Sequence, residues 1–210
     1  YAGITFFNTG NRRLFMRWMN NWQYGDRVPT LKWRGAMTLP RELNLRQVNG
    51  KFYLASMPVK ELNGIAHKAG VKKVTGLVGS YSTPTTGMFK LDLKGIVTND
   101  YSIVLSNEKG SELMIGFDKQ KNQYYIDRTR SGIVNFEQGF AKRLWAPRIA
   151  TEDRAQLTLV VDKASVELFA DDGLTVMTAV FFPESPVSVV RVQTADNSII
   201  KRLIYTPLKK

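Results

Sequence analysis

Few residues in this sequence are suited to acid–base chemistry. Glu42 follows Arg41 and has no facing carboxylate, and cleavage of a substrate bond by carboxylates requires two such groups in fixed geometry. A single Glu therefore favours an ion pair within its own sheet. Asp171 and Asp172 resemble a metal-binding pair, but Gly173 follows them, and this order of residues is typical of a turn.

Cysteine and histidine chemistry is almost absent. The sequence has no Cys, which excludes disulfides, thiolate metal sites and thiol nucleophiles, and it has one His, His67. A single His leaves no His-rich metal cluster and no choice of base for a Ser-His-Asp triad. We therefore predict no metal site and no cofactor, and we interpret His67 as a surface or capping residue.

The composition is that of an ordinary globular protein with a strong positive charge. The 210 residues include 30 Lys and Arg against 18 Asp and Glu, a formal charge of +12, and 43% are apolar. The basic residues occur in scattered pairs and short clusters, so we expect them to lie on a solvated surface. The sequence contains no recognised nucleic-acid-binding motif, although a basic interaction protein is kept as an alternative.

The sequence contains no stretch typical of a membrane span and no signal-like region at its start. The uncharged, apolar stretch 173–183 is far shorter than the roughly 20 residues that cross a bilayer, so no membrane span is predicted. The chain begins at Tyr1 without a Met or a signal-like region, and we expect its N-terminus to have been processed or cut.

Alternation of apolar and polar residues with a period of two predicts an all-β protein. Residues 1–57 have the size of one four-stranded antiparallel blade of a β-propeller. Asn49 and Gly50 both tolerate positive φ and predict a hairpin that places Leu43 and Leu45 on the same face as Phe52 and Leu54. The four predicted strands are 1–8, 13–20, 33–45 and 51–56.

The rest of the chain predicts a connector and a second all-β unit. Residues 58–70 have apolar residues at helical spacing and are expected to form a short helical connector. In residues 71–210, about nine antiparallel strands with one apolar face each predict two stacked sheets, a concanavalin-like β-sandwich. These strands are 89–94, 101–106, 112–117, 123–128, 157–161, 165–170, 174–182, 187–194 and 199–205.

Several segments resemble glycoside hydrolase family 32, the levanases, inulinases and invertases that hydrolyse β-fructosides. The stretch Trp18–Gly25, with Val28-Pro29-Thr30, Trp33–Met37 and Leu39–Leu43, is similar to the last blade of the family's five-bladed propeller. The stretch Val166–Gly173, followed by Phe181-Phe182-Pro183, is similar to the closing hairpin of its C-terminal β-sandwich.

The resemblance implies a retaining mechanism with two carboxylates about 5 Å apart and a third that contacts the sugar hydroxyls, all in blades that this sequence does not contain. Trp18–Asn20 match the start of the family's nucleophile motif, but Asn21 stands at the position of the nucleophile, and an amide cannot replace a carboxylate there. We therefore expect no catalytic residue in this chain. The chain is expected to be an inactive C-terminal fragment of a β-fructosidase.

The resemblance also suggests substrate-binding residues. By this resemblance Trp22 matches the aromatic residue that lines the pocket for the terminal fructose. An indole suits that role, because its face packs against the C–H side of a sugar. Asn21 and Gln23 are expected either to bind sugar hydroxyls or to satisfy the backbone of the loop. Trp18 and Trp33 are interpreted as core residues.

Other functions remain open at this point. A stand-alone carbohydrate-binding module would need its own aromatic platform, for which Tyr124, Tyr125 and Trp145 are candidates, with one tyrosine buried and the other exposed by alternation. Residues 1–56 would leave an apolar face bare, so we expect packing on the sandwich or on another copy, including a homodimer. An extracytoplasmic location follows by analogy alone, and levan, inulin and sucrose are not distinguished as substrates.

Overall fold

The computed structural model describes residues 1–85, 87–97, 99–194 and 199–209, whose strands form three antiparallel sheets. The prediction of an all-β protein, with a four-stranded sheet followed by a β-sandwich, is confirmed. Within this described part, the helical segments are three short 3-10 helices, Gly25–Arg27, Lys60–Ile65 and Lys68–Gly70. None of them is long or apolar enough to cross a membrane.

The N-terminal sheet contains β1 (Ile4–Thr5), β2 (Leu14–Met16), β3 (Arg41–Val48) and β4 (Lys51–Pro58), in that order. The predicted hairpin is present, because Asn49 and Gly50 have φ of 48° and 77°. Leu45 lies opposite Leu54, and Phe52, two residues before Leu54 on the same strand, lies on the same face. This face is solvent-exposed, with Phe52 71% accessible.

Three strands of this sheet are shorter than predicted. β2 covers only Leu14–Met16 of the expected 13–20. β1 covers only Ile4–Thr5 of the expected 1–8, since it lies at the edge of the sheet and pairs with β2 alone. The expected strand 33–45 begins only at Arg41, after Pro40, which has no N–H to donate to a ladder. The preceding segment is irregular and is joined to the sheet by one bridge, between Trp18 and Met37.

The sandwich consists of two six-stranded sheets, twelve strands where nine were predicted. One sheet has the order β11-β10-β9-β8-β15-β6, and we call it the groove sheet; the other has the order β14-β13-β12-β7-β16-β5. The strands are β5 (Lys72–Val78), β6 (Ser80–Pro84), β7 (Phe89–Val97), β8 (Tyr101–Ser106), β9 (Glu112–Asp118), β10 (Gln123–Arg130), β11 (Arg143–Pro147), β12 (Arg154–Val161), β13 (Ser165–Ala170), β14 (Thr175–Val180), β15 (Val189–Thr194) and β16 (Ile199–Pro207).

The main apolar core lies between the two sandwich sheets. Leu91 and Leu93 from one sheet and Ile103 and Ile115 from the other are fully buried in it. Each strand of the core contributes alternate residues, which is why the period-two pattern located nine of the strands. The three strands that were not predicted are all edge strands: β6 and β11 are the two edges of the groove sheet, and β5 is one edge of the other sheet.

Buried polar and apolar contacts attach the N-terminal sheet to the sandwich. Arg41 on β3 pairs with Glu167 on β13, with 2.5 Å between Nη2 and Oε2, and both side chains are buried. The Ser56 N–H donates to the Gly173 carbonyl at 3.0 Å. An apolar cluster spans the same interface and comprises Met19, Tyr24, Val28, Phe140, Val180 and Phe182. The sheet therefore packs on the sandwich through one side only, and the Phe52 face stays uncovered.

Candidate functional site

Trp22 lies in a turn that follows the bridge residue Trp18. Its side chain is 66% exposed. The Trp22 ring centroid lies 5.1 Å from that of Trp18 at an interplanar angle of 53°, and 5.6 Å from that of Tyr1 in an edge arrangement. The three rings form an aromatic patch at the surface, with Trp22 as its most accessible member and Trp18 half-buried beneath it.

Side-chain amides fix the turn that carries Trp22. The buried Asn20 donates from Nδ2 to the Arg34 carbonyl at 2.9 Å, and its Oδ1 accepts the Asn21 N–H at 3.0 Å. Asn21 Oδ1 accepts the Gln23 N–H at 2.8 Å, an Asx turn. The sequence folds this way locally because each amide oxygen replaces a backbone acceptor that the irregular chain lacks. Asn21 therefore serves the backbone with its oxygen, and its amide nitrogen has no partner among the described residues.

Gln23 lies against the sandwich. A Cβ atom at Gly139 would overlap its side-chain amide, so Gln23 reaches across the interface to the loop before β11. Asn21 lines a cleft of about 280 Å³ between the N-terminal sheet and the sandwich, whose cations include Arg17 and Lys142. The three predicted site residues are thus neighbours in sequence, but they do not converge on one pocket.

The carboxylates that the sequence singled out are engaged in structural contacts. Glu42 pairs with Arg12 at 2.8 Å, an ion pair within the N-terminal sheet region, as predicted. Asp171 and Asp172 have positive φ, 49° and 55°, and form the predicted turn. Among the described residues no group of three or more His, Asp or Glu side chains is placed to hold a metal ion.

Asp171 also makes buried contacts that the turn residues in the sequence did not predict. Its buried carboxylate accepts hydrogen bonds from Tyr124 Oη at 2.7 Å and from Arg148 Nε at 2.8 Å. Burial, and then the charge of Asp171, raise the pKa of the Tyr124 hydroxyl well above its ordinary value. This triad joins β10 to the hairpin between β13 and β14, and no spacing in the sequence indicates it.

The interpretations of Trp33, of the Tyr124–Tyr125 pair and of His67 can each be compared with the structure. Trp33 is 37% exposed, so its interpretation as a core residue is wrong, because the segment that carries it is not a strand. Tyr124 and Tyr125 are both buried, so the prediction that one of them is exposed is also wrong. His67 is exposed and directly precedes the 3-10 helix Lys68–Gly70.

Comparison with family models matches both parts of the chain. The model described as "Glycosyl hydrolases family 32 C terminal" matches residues 64–204, and the model described as "Glycosyl hydrolases family 32 N-terminal domain" matches residues 1–56. The first match alone covers more than half of the 210 residues.

Comparison with curated proteins and solved structures gives the same relationship. The extracellular exo-inulinase of Aspergillus awamori is 36% identical over 90% of this chain and 37% of its own length, and the levanase of Bacillus subtilis is 27% identical over 100% and 33%. The crystal structure of the A. awamori enzyme matches with a TM-score of 0.88 at 30% identity, covering 100% of this chain and 43% of that chain. The β-fructofuranosidase of Schwanniomyces occidentalis complexed with fructosyl-erythritol matches with a TM-score of 0.86 at 25% identity, covering 100% and 48%. The chain thus spans about a third of the length of these curated relatives.

Proposed function

This chain belongs to glycosyl hydrolase family 32, and we propose that it is the C-terminal part of a retaining β-fructosidase that hydrolyses fructans or sucrose. In this proposal residues 1–57 are the last propeller blade, 58–70 the connector and 71–210 the C-terminal sandwich. The catalytic carboxylates come from a part of the enzyme outside this sequence. Because a relative is described as an extracellular exo-inulinase, we place the enzyme outside the cytoplasm.

The exposed Trp22 ring supports this proposal most directly. A large indole that is 66% accessible needs a reason, since aromatic side chains gain free energy by burial. Here the Asx turn and the buried Asn20 fix the backbone that carries Trp22, and the ring packs against Trp18 and Tyr1. We propose that its exposed part is a wall for the apolar side of a fructosyl unit. Asn21, through its amide nitrogen, is the second candidate ligand for that unit. Gln23 acts as a positioning residue, because its side chain lies against Gly139.

The exposed face of Leu45, Phe52 and Leu54 fits the same proposal. Three large apolar side chains side by side on a sheet are uncommon on a free surface. We propose that the remainder of the enzyme or a second copy of the chain covers this face.

Two assays test the function. The purified chain, incubated with inulin, levan or sucrose, should release no fructose, and any fructose release by the pure chain would refute the assignment of the carboxylates. In a chimaera, this chain replaces the matching C-terminal part of the A. awamori exo-inulinase, and fructose release from inulin is measured.

The chimaera also tests the role of Trp22. Trp22→Ala should raise KM for inulin roughly tenfold, because one stacked aromatic face is lost, and Trp22→Phe should raise it less. Phe7→Ala is the matched control, since Phe7 is a fully exposed aromatic residue that follows β1 and lies outside the strands, as Trp22 does. Equal kinetic constants for Trp22→Ala and Phe7→Ala would refute the proposed binding wall.

A further inference from the structure

A row of aromatic, small and polar residues crosses the outer face of the groove sheet, on the opposite side from the core. The strand registers place five residues side by side on neighbouring strands: Trp145 on β11, Tyr125 on β10, Gly116 on β9, Ser102 on β8 and Gln193 on β15. Their neighbours in sequence, including Tyr124, Phe117 and Ile103, belong to the core. Since side chains alternate between the faces of a strand, the row faces outward.

Gly116 creates a depression in the middle of this row. A Cβ atom at Gly116 would lie 2.5 Å from Tyr125 Oη, so the tyrosine ring extends across the glycine towards β8. Tyr125 is therefore only 9% exposed although it is on the outer face. Its hydroxyl makes no hydrogen bond to another described residue, which is unusual for a tyrosine that is nine-tenths buried.

Tyr125 lines a groove of about 310 Å³. The side chains that line it beside Tyr125 include Asp100, Ser102, Asp118, Arg143 and Gln193. In the part of the chain that the structure describes, neither the Ser102 hydroxyl nor the Gln193 amide has a hydrogen-bond partner. The groove thus offers hydroxyl and amide groups to a ligand, whereas its carboxylates are engaged, Asp100 Oδ1 by the Lys119 N–H at 2.8 Å and Asp118 by Lys121.

The charges around the groove indicate an uncharged ligand. Arg143 is paired with Asp127, with 2.7 Å from Nη2 to Oδ2, and its guanidinium lies 4.7 Å from the Tyr125 ring centroid. Lys121 is paired with Asp118 at 3.0 Å. Arg143 and Lys121 are thus both paired, and Asp100 adds a negative charge to the lining, which opposes binding of a phosphate or another anion.

We propose that this groove binds a segment of a neutral saccharide chain, separately from the Trp22 wall. The hydroxyls of Tyr125 and Ser102 and the amide of Gln193 are uncharged groups that can donate to and accept from the hydroxyls of a sugar. Trp145, whose ring centroid lies 5.5 Å from that of Tyr125, lies beside the groove at the β11 edge, with Lys121 Nζ 4.2 Å from its own ring centroid. The identification of the saccharide as a fructan rests on the proposed function. The sandwich would then retain a polymer while another part of the enzyme cleaves its end.

The test measures binding of inulin and levan to the chain by isothermal titration calorimetry. Tyr125→Phe removes one hydroxyl and Gln193→Ala removes one amide, and each should weaken fructan binding roughly three- to tenfold. The matched controls are Tyr53→Phe on β4 and Gln47→Ala on β3, which lie in the N-terminal sheet and should bind like the unmodified chain. Urea unfolding of each variant establishes that it is folded.

The outcomes separate this proposal from the proposed function. Trp22→Ala should retain binding at the groove, so loss of all binding in that variant would overturn the groove. Absence of fructan binding by the unmodified chain, or equal affinity in Tyr125→Phe, Gln193→Ala and the controls, would overturn it as well. A failure of the chimaera to release fructose counts against the proposed function alone, because that assay does not depend on Tyr125 or Gln193.

Discussion

Removal of Arg41 should destabilise the chain more than removal of Arg41 together with the charge of Glu167. In the structure Glu167 accepts hydrogen bonds from Arg41 Nη2 at 2.5 Å and from the Leu39 N–H at 2.7 Å. Arg41 also donates to Thr178 Oγ1 at 2.7 Å. Both members of the pair are buried at the interface between the N-terminal sheet and the sandwich, so neither is compensated by water once the other is lost.

The magnitudes follow from this burial. Arg41→Met leaves a buried carboxylate with the Leu39 N–H as its remaining donor, which costs about 3–5 kcal/mol of unfolding free energy. In the double variant Arg41→Met/Glu167→Gln, the amide oxygen still accepts the Leu39 N–H and no buried charge is left. Its cost is therefore that of lost hydrogen bonds, about 1–3 kcal/mol. The second substitution should recover roughly 2 kcal/mol.

Urea unfolding followed by circular dichroism at two pH values measures these differences. Burial raises the pKa of Glu167, and Arg41 opposes that shift, so Arg41→Met should raise this pKa further. An acid whose folded-state pKa is raised contributes stability that is complete below its unfolded pKa and is lost as pH rises through the folded pKa. Arg41→Met should therefore be more stable near about pH 5 than near about pH 8, whereas the double variant should lack this dependence. A double variant no more stable than Arg41→Met, or a single variant within about 1 kcal/mol of the original chain, would refute the argument.

Two further predictions concern a glycine and a titrating carboxylate. Gly173→Ala should destabilise the chain clearly more than Gly50→Ala. Both glycines have positive φ (81° and 77°), but a Cβ at Gly173 would overlap the Ser56 carbonyl, whereas the space at Gly50 is open. Equal unfolding free energies of the two variants in urea would contradict this. Hydrogen bonds from Arg12 lower the pKa of Glu61 to about 2. The stabilisation by this ion pair is therefore present above the ordinary Glu pKa and is lost as pH falls through about 2. A carboxyl NMR titration should give Glu61 a midpoint near 2 that returns towards about 4.3 in Arg12→Gln, and an unchanged midpoint would count against the contact.

The parts of the fold that the sequence predicted are those that local patterns determine. Asn49-Gly50 defined the hairpin between β3 and β4 because the turn itself requires positive φ, and the register of Leu45 with Leu54 follows from it. The central strands of the sandwich alternate because one of their faces is buried along its whole length. The burial of β11 alternates, but its sequence does not, because Leu144, Trp145 and Ala146 are consecutive apolar residues, so the period-two pattern does not show this strand.

The parts that the sequence did not predict depend on residues far away in the chain. Tyr125 is buried because Gly116, on the neighbouring strand, gives its ring a place to lie, and period-two alternation carries no information about that glycine. The same holds for Asp171, which belongs to a turn by its own conformation but is buried by Tyr124 and Arg148. For Trp22 the family resemblance suggested its role, and the tendency of Asn to form Asx turns accounts for its position.

The sandwich contributes to the position of Trp22 through Tyr24, two residues further along the chain. Tyr24 ends the turn that carries Trp22, and its buried ring packs edge-on against Phe140 with 5.1 Å between centroids. Arg128 donates from Nε to the Phe140 carbonyl at 2.8 Å and from Nη1 to Tyr24 Oη at 3.2 Å, and its guanidinium stacks 4.0 Å from the Phe140 ring centroid. Arg128 has no carboxylate partner among the described residues, so these carbonyl, hydroxyl and aromatic contacts compensate its buried charge. A displacement of the sandwich would move Tyr24 and the turn together, which gives the sandwich a direct physical means of affecting the proposed sugar-binding wall.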